Sequence, residues 1–315
     1  MFARNFTERK IFVLAAPLLF ALILAGCGGK SATNTTASIN NGLSQHATAS
    51  PSVSAGATKA TATLKRQPVG NANLSWDPTD HMLTVQLMLT GLAPSSVHPV
   101  HIDEGSCSNR SAATPSNGNG TSTATKGLYP LVNATADSHG VINTSSKVSV
   151  PTGIPAKSWY LEVYNGPGLS AADQAMPIAC GDIVNHDTSL RSSQSAQVPL
   201  QAPANAANQD AQGTANLSLS GHTLTVQLTV TGLAPKTQHM VHIHSGKCAS
   251  QGSVVYPLTT LSADASGKAT STTTIQNVTS IPATGWYVNV HNGTDLSTQT
   301  GFDPITCGDV TPSNS

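Results

Sequence analysis

The sequence predicts an all-β protein of the sandwich or barrel type, and three observations support this class. After the N-terminal segment, short runs of valine, threonine, isoleucine and leucine are broken by glycine, proline, asparagine and aspartate, without convincing helical periodicity. Residues 224–230 (LTVQLTV) alternate strictly between apolar and polar side chains, as a strand with one buried face does. The same pattern recurs earlier in the chain, which indicates an internal repeat.

The first residues have the features of a secretion signal. A basic start precedes an apolar stretch, residues 11–25, that is short for a membrane span. This stretch leads into LAGC at residues 24–27, which resembles a bacterial lipoprotein signal. We therefore expect residues 1–26 to be a signal peptide and Cys27 to carry lipid, so that the mature protein is anchored to the membrane outside the cytoplasm.

The next segment and the overall charge limit the possible functions. Residues 27–68 are mostly serine, threonine, alanine, asparagine and glycine, with too few apolar side chains for a core, so we expect a disordered tether. Over the whole chain, 15 basic and 15 acidic residues balance to a net charge of zero. Without a basic stripe or basic residues interleaved with aromatic ones, we expect no nucleic-acid partner.

Two long segments are copies of one another. The first copy, residues 69–186, and the second copy, residues 209–311, contain the runs LTVQL, TGLAP, WY and CGD in the same order. Each copy has the size of one β domain. We therefore expect two tandem domains joined by a polar linker at residues 187–208.

The cysteines fit a secreted protein. Of the five cysteines, Cys27 is assigned to the lipid, and the other four form an even set in an oxidising compartment: Cys107, Cys180, Cys248 and Cys307. Their number allows three pairings. Because each copy has one cysteine early and one near its end, the repeat favours pairing within copies. Each such disulfide would contribute about 4 kcal/mol in the chain-entropy description.

A pair of histidines in the second copy is the candidate functional feature. His242 and His244 are two residues apart in a strand-like run, so they project from one face, with Cα atoms about 7 Å apart. His291 ends a second strand-like run, residues 285–291. Three imidazoles from neighbouring strands favour a borderline transition metal, and copper binds most tightly among the divalent ions. The alternative is that these histidines are merely solvated or hydrogen-bonded.

These residues resemble copper/zinc superoxide dismutase. The similarity consists of HMVHIH at residues 239–244, then Cys248, a later strand ending in histidine, and CGDV at residues 307–310. The resemblance implies tandem Greek-key β-sandwich or barrel domains, with copper or superoxide as partner. According to this resemblance, three residues correspond to copper ligands of that family: His242, His244 and His291. The resemblance also makes His239 a structural histidine that faces away from the metal.

The second copy departs from that family at three places. Val254 occupies the position of the histidine that bridges copper and zinc, and the loop with the other zinc ligands is missing after residues 257–258. No arginine precedes Cys307 to guide superoxide. We therefore expect one copper ion and no zinc. The hypothesis is a copper-binding surface lipoprotein with copper-only or residual dismutation, and the sequence leaves open whether it is an enzyme.

The first copy retains only part of the histidine set. His101 corresponds to the first histidine of the pair, but Asp103 and Tyr164 replace the other two ligands, and Gly127 stands at the bridging position. A carboxylate and a phenol are poor substitutes for imidazoles at copper. We therefore expect the first copy to be structural or to take part in an interaction.

The alternative function is a non-catalytic adhesion or interaction module. The His-x-His and Trp-Tyr-x-Asn-x-His runs also resemble the CHRD-type domain of bacterial surface proteins, although the Gly-Glu-Ile-Arg-Gly ending of that domain is missing. Tandem copies on a lipidated tether suit such a role. The sequence does not identify a protein partner.

Overall fold

The computed structural model describes residues 57–109, 127–203 and 206–313, and these residues are all-β apart from one short helix. They belong to a single compact unit, so the two repeats are not seen as separate tandem domains. The expected signal peptide, residues 1–26, and the lipid site Cys27 lie outside the described residues. Within the described ranges, no helix has the length and apolar character needed to span a membrane.

Eighteen strands and the helix make up the described fold. The strands up to the end of the first repeat are β1 (Lys59–Arg66), β2 (Val69–Asp77), β3 (Met82–Thr90), β4 (Val97–His98), β5 (Val100–Glu104), β6 (Tyr129–Pro130), β7 (Ala134–Thr135), β8 (Ile142–Ser149), β9 (Trp159–Tyr164) and β10 (Pro177–Ile183). The remaining elements are β11 (Gln194–Leu200), β12 (Gln212–Ser220), β13 (Thr223–Thr231), β14 (Gln238–Lys247), β15 (Ser250–Ser262), β16 (Ala269–Ile275), β17 (Trp286–His291), α1 (Gln299–Phe302) and β18 (Pro304–Pro312).

The second repeat forms a nearly closed barrel. Its eight-stranded sheet has the order β15-β14-β17-β18-β1-β12-β13-β16. The two edge strands meet at a seam where the backbone N–H of Thr259 donates to Thr273 Oγ1 at 2.8 Å. Alternation places Leu224, Val226 and Leu228 in the core, each no more than 2 % exposed, which confirms the predicted strand face.

The first repeat has the same parts in a more open arrangement. Two four-stranded sheets, with the orders β10-β9-β5-β6 and β11-β2-β3-β8, enclose its core, and β4 pairs with β7. An isolated bridge between Cys180 and Gln201 links β10 to the residue after β11. The all-β prediction is therefore confirmed, while a superoxide dismutase-type arrangement is not.

The strand that completes each repeat comes from an unexpected part of the chain. β1 pairs antiparallel with β12 and β18 in the second repeat, although it precedes the first repeat in the chain. β11 pairs with β2 in the first repeat, although it immediately precedes the second. Both strands bury alternate apolar side chains in the repeat that they complete: Ala60, Ala62 and Leu64 for β1, and Ala196, Val198 and Leu200 for β11.

These two strands correct the expected tether and linker. Lys59–Arg66 lies within residues 27–68, and Gln194–Leu200 lies within residues 187–208, yet both are strands. The average composition of those segments is polar, and it conceals a short period-2 pattern of apolar side chains that is sufficient for a strand with one buried face.

The Cys-Gly-Asp runs stabilise equivalent junctions in the two repeats. The predicted disulfides Cys107–Cys180 and Cys248–Cys307 are confirmed. In the second repeat, the backbone N–H of Cys248 donates to Asp309 Oδ1 at 2.8 Å, and the first repeat has the equivalent bond. A Cβ on Gly308 would lie 2.5 Å from the carbonyl oxygen of Thr63 in β1. Glycine is required here because the backbone of the completing strand crosses so closely.

Candidate metal centre

Neighbouring strands bring the three predicted ligands to one face of the second repeat. β14 and β17 pair antiparallel, with His242 opposite Asn289. His244 is two residues further along β14, and His291 is two residues beyond Asn289, so alternation directs all three imidazoles to the same side. Each of the three histidines is at most 7 % exposed. We call His242, His244 and His291 the histidine triad.

The rings of the histidine triad converge closely enough to bind one ion. One ligand nitrogen from each residue lies within 4.8 Å of the other two. His242 Nδ1 is 3.2 Å from His291 Nε2. Nitrogens bound tetrahedrally at about 2.0–2.1 Å from a metal lie about 3.3 Å apart. A small inward movement of the rings therefore suffices for three-nitrogen coordination.

Outer hydrogen bonds fix which nitrogens face the centre of the triad. His244 Nδ1 lies 3.0 Å from the carbonyl oxygen of Gly252, and His291 Nδ1 contacts the carbonyl oxygen of Phe302. A carbonyl oxygen only accepts, so both Nδ1 atoms carry the proton and both Nε2 lone pairs point to the centre of the triad, that of His291 toward His242 Nδ1. His244 Nε2 is buried and has no hydrogen-bond partner among the described residues, which fits a position that a metal would occupy.

Burial keeps the histidine triad neutral. Desolvation lowers the pKa of His242 and of His244, and it lowers the pKa of His291 to about 4. Mutual repulsion among the imidazolium forms lowers the pKa of His291 further, against the opposing effect of its bond to Phe302. Neutral imidazole is the metal-binding form, so the lowered pKa values favour the form that binds a metal.

Aromatic side chains restrict the rings, and the histidine spacing did not predict them. The Tyr287 ring stacks on His244 at 5.0 Å between centroids with 18° between planes. The Phe302 ring packs on His291 at 5.1 Å. Because a ring held between an aromatic face and a carbonyl loses little freedom on binding, the site is preorganised.

Asn289 is a further polar residue that sequence analysis did not single out. It is fully buried opposite His242, and neither its amide nitrogen nor its amide oxygen has a hydrogen-bond partner in the described part of the chain. Buried amides are normally paired. The unpaired amide therefore marks this face of β17 as a polar site within an otherwise apolar strand.

His239 contacts the backbone beneath the triad and offers no ligand atom. Its Nδ1 donates to the carbonyl oxygen of His291 at 2.9 Å, and its Nε2 lies 2.8 Å from Thr237 Oγ1. Both ring nitrogens are therefore engaged. Burial, the larger effect, lowers the pKa of His239 despite these hydrogen bonds.

The corresponding positions of the first repeat come together without forming a triad. The rings of His101 and Tyr164 lie 5.2 Å apart, and Asp103 is buried nearby on β5. Gly127 lies against the imidazole of His101, where a Cβ would approach ring atoms to 2.7 Å. Over the described ranges, the histidine triad is the only group of three or more histidine, cysteine or acidic side chains placed to hold a metal.

Strand β15 occupies the stretch after Cys248 in which the superoxide dismutase resemblance would place zinc ligands. β15 runs without interruption from Ser250 to Ser262, so no long loop follows the disulfide cysteine. Val254 pairs with His244 but is 49 % exposed, so it does not take the place of a bridging histidine.

Comparison with known proteins corrects the family assignment. A family model described as CHRD domain matches residues 189–295, a range that includes all three histidines of the triad. CHRD is a β-sandwich family, no superoxide dismutase family matches, and the predicted resemblance to superoxide dismutase is therefore wrong. A comparison with curated proteins found no match. The misleading features were a histidine-rich strand and a neighbouring disulfide, which different antiparallel sandwiches can carry independently.

Proposed function

We propose that this protein is a non-catalytic β-sandwich binding module that holds one transition-metal ion at His242, His244 and His291. The observation that carries the proposal is the convergence of three buried ring nitrogens within 4.8 Å, one of which has no hydrogen-bond partner among the residues that the structure describes. A buried polar nitrogen without a partner costs free energy, and a bound ion removes that cost. A resident metal would supply Lewis acidity, while the chain itself supplies ligand orientation and excludes water.

A binding role is favoured over an enzymatic one. The CHRD match covers the whole histidine triad. Dismutation was suggested only by the resemblance to superoxide dismutase, which the family comparison contradicts. Among divalent ions, three imidazoles bind copper most tightly, and zinc is the main competitor because it accepts the same ligands. The proposed ion is copper, with no zinc partner beside it.

The proposed location follows from the sequence. The LAGC run at residues 24–27 supports export and lipid attachment at Cys27, and the two disulfides fit an oxidising compartment outside the cytoplasm. The membrane would then be a partner through the lipid alone, with the β-sheets facing outward to a protein or metal partner.

Metal titration of the full chain tests the proposal. Competition with a chromophoric chelator should give one copper ion per chain, and the copper spectrum in electron paramagnetic resonance should have nitrogen hyperfine coupling. His244→Ala and His291→Ala should abolish tight binding. His222→Ala is the matched control because this histidine is exposed on a turn, and it should bind like the parent. The proposal is wrong if the parent chain binds no copper. It is also wrong if His244→Ala or His291→Ala binds copper as tightly as the parent chain does.

A further inference from the structure

Two ligands of the proposed metal site are oriented by backbone carbonyls in segments that contact the first repeat. His244 donates to the carbonyl of Gly252, which lies near the start of β15. His291 donates to the carbonyl of Phe302, the last residue of α1. In each case the neighbouring residues of the same segment form hydrogen bonds with the first repeat.

Gln251 connects the first of these carbonyls to the first repeat. Its backbone N–H donates to the carbonyl oxygen of His139 at 2.9 Å, and its own carbonyl accepts from His139 Nδ1 at 3.1 Å. Its side-chain Nε2 donates to the carbonyl oxygen of Leu92 at 2.8 Å. Gln251 is 4 % exposed. The residue directly before Gly252 is therefore bound to the first repeat at three points, one of them through the carbonyl of the peptide unit that joins it to Gly252.

The register of β15 explains why the Gly252 carbonyl reaches a histidine. Gly246 pairs with Gln251, but His244 pairs with Val254, so β15 carries one extra residue at this point. Such a bulge interrupts the ladder and redirects groups beside it. A Cβ on Gly252 would lie 2.3 Å from the carbonyl oxygen of Ser245, so the close approach also requires glycine.

Gln299 connects the second carbonyl to the first repeat. Its Oε1 accepts from the backbone N–H of Val97 at 2.9 Å, and its Nε2 donates to the carbonyl oxygens of Val97 and Asn165 at 2.8 and 2.9 Å. At the other end of the same turn, Asp303 Oδ1 accepts from the backbone N–H of Ala93 at 3.0 Å. The carbonyl of Phe302 lies between these two connections.

We propose that the first repeat, which lacks the triad, positions the metal ligands of the second repeat through Gln251 and Gln299. This inference rests on the proposed metal-binding function. Partners that orient a ligating histidine typically contribute tenfold to a hundredfold in metal affinity. Gln251 and Gln299 lie further from the metal site than such partners. Gln251 is one residue before Gly252, and Gln299 is one helical turn before Phe302, so the two glutamines hold the carbonyls that orient the histidine rings. They are positioning residues and do not contact the ion.

The test uses Gln251→Met and Gln299→Met in the full chain, because methionine keeps the side-chain length and removes the hydrogen bonds. We expect each variant to bind copper about tenfold more weakly. We also expect an altered copper hyperfine pattern in electron paramagnetic resonance, because the rings tilt. Gln299→Glu keeps an acceptor for Val97 N–H but places a carboxylate oxygen against the carbonyl oxygens of Val97 and Asn165, so it should lose at least as much affinity as Gln299→Met.

The control is Gln194→Met. Gln194 is buried like Gln251, at 1 % exposure, and its Oε1 accepts from the backbone N–H of Ile154 inside the first repeat. Its loss should lower thermal stability and leave copper affinity and spectrum unchanged.

The outcomes separate the two proposals. If the parent chain binds one copper ion and both glutamine variants bind it with parental affinity and spectrum, the positioning role is overturned while the metal site stands. If the parent chain binds no metal, both proposals are overturned. If Gln194→Met changes the copper spectrum as much as Gln251→Met and Gln299→Met, a general loss of stability accounts for the effect and the positioning role is rejected. A glutamine variant that does not fold is replaced by Gln251→Ala or Gln299→Ala, judged by the same two readouts.

Discussion

The two repeats have the same supporting structure and differ in the side chains that it carries. In the first repeat, buried His98 bonds through Nδ1 to the carbonyl oxygen of Tyr164 at 2.8 Å. In the second repeat, buried His239 forms the same bond to His291 at 2.9 Å. The backbone at the third ligand position is therefore held in the same way whether that residue is a phenol or an imidazole. The comparison teaches that the fold does not depend on the metal-binding residues.

Ring geometry supports the same conclusion. His101 and Tyr164 meet at 5.2 Å and 67°, and His242 and His291 meet at 5.1 Å and 64°. The repeats differ at the remaining position, where the first repeat has the carboxylate of Asp103 and the second has the imidazole of His244. Burial lowers the pKa of His101 and raises that of Asp103, and the attraction between the two charged forms opposes both shifts.

The largest expected effect comes from transferring the triad to the first repeat. Asp103→His combined with Tyr164→His restores three imidazoles on an equivalent backbone, so the full chain should bind two copper ions instead of one. Micromolar or tighter binding at the new site corresponds to about 8 kcal/mol or more. Titration with a chelator measures the stoichiometry. Asp103→His combined with Tyr164→Phe is the control with only two imidazoles. A folded double variant that still takes up one ion would show that the two backbones are less alike than their ring distances indicate.

The next effect tests whether β1 belongs to the second repeat. Ala62 is fully buried between Ala215 of β12 and Val310 of β18. Ala62→Asp places a carboxylate in that core and should lower the free energy of unfolding by about 4 kcal/mol or more. Thr63→Asp, on the exposed face of the same strand, should change it by no more than about 0.5 kcal/mol. Equal denaturation midpoints for the two variants would mean that β1 is dispensable.

The smallest effect concerns the contact between the repeats. Burial raises the pKa of Asp303 to about 7, although its hydrogen bond from Ala93 opposes this shift. Asp303 and Arg66 line the same small cavity of about 20 Å³, which has room for about one water. The folded chain therefore retains a proton that the unfolded chain releases between about pH 4 and 7, so this contribution to stability is lost as pH rises through that window.

In Asp303→Asn the side chain cannot ionise, so this variant should not show the loss of stability that Asp303 causes as pH rises. Between pH 5 and 8, the unfolding free energy of the parent chain should fall by about 2.5 kcal/mol relative to that of the variant, because each pH unit below the folded-state pKa contributes about 1.4 kcal/mol. The buried histidines have lowered pKa values, so their contribution to the unfolding free energy changes with pH in the opposite direction. They are present in both the parent chain and the variant, so their effect cancels when the two pH profiles are subtracted. Chemical denaturation at the two pH values provides the measurement, and parallel pH profiles would rule out the assigned role of Asp303.

Sequence patterns were sufficient where a single strand or a pair of repeats carried the signal. The alternation over residues 224–230 predicted a strand with one buried face, and the position of one early and one late cysteine in each copy predicted both disulfides. The histidine pair at His242 and His244 needed only the two-residue period of a strand. The family assignment failed because short motifs do not record how strands are connected.

The sequence by itself determined the all-β class, the internal repeat and the cysteine pairing, because these depend on local periodicity and on the order of residues along the chain. Only the tertiary structure decided that β1 completes the second repeat and β11 the first. It alone also decided that Tyr287 stacks on His244 and that Gln251 bonds to Leu92, 159 residues away. Such contacts join residues whose spacing in the chain carries no signal, because they arise from the packing of whole sheets.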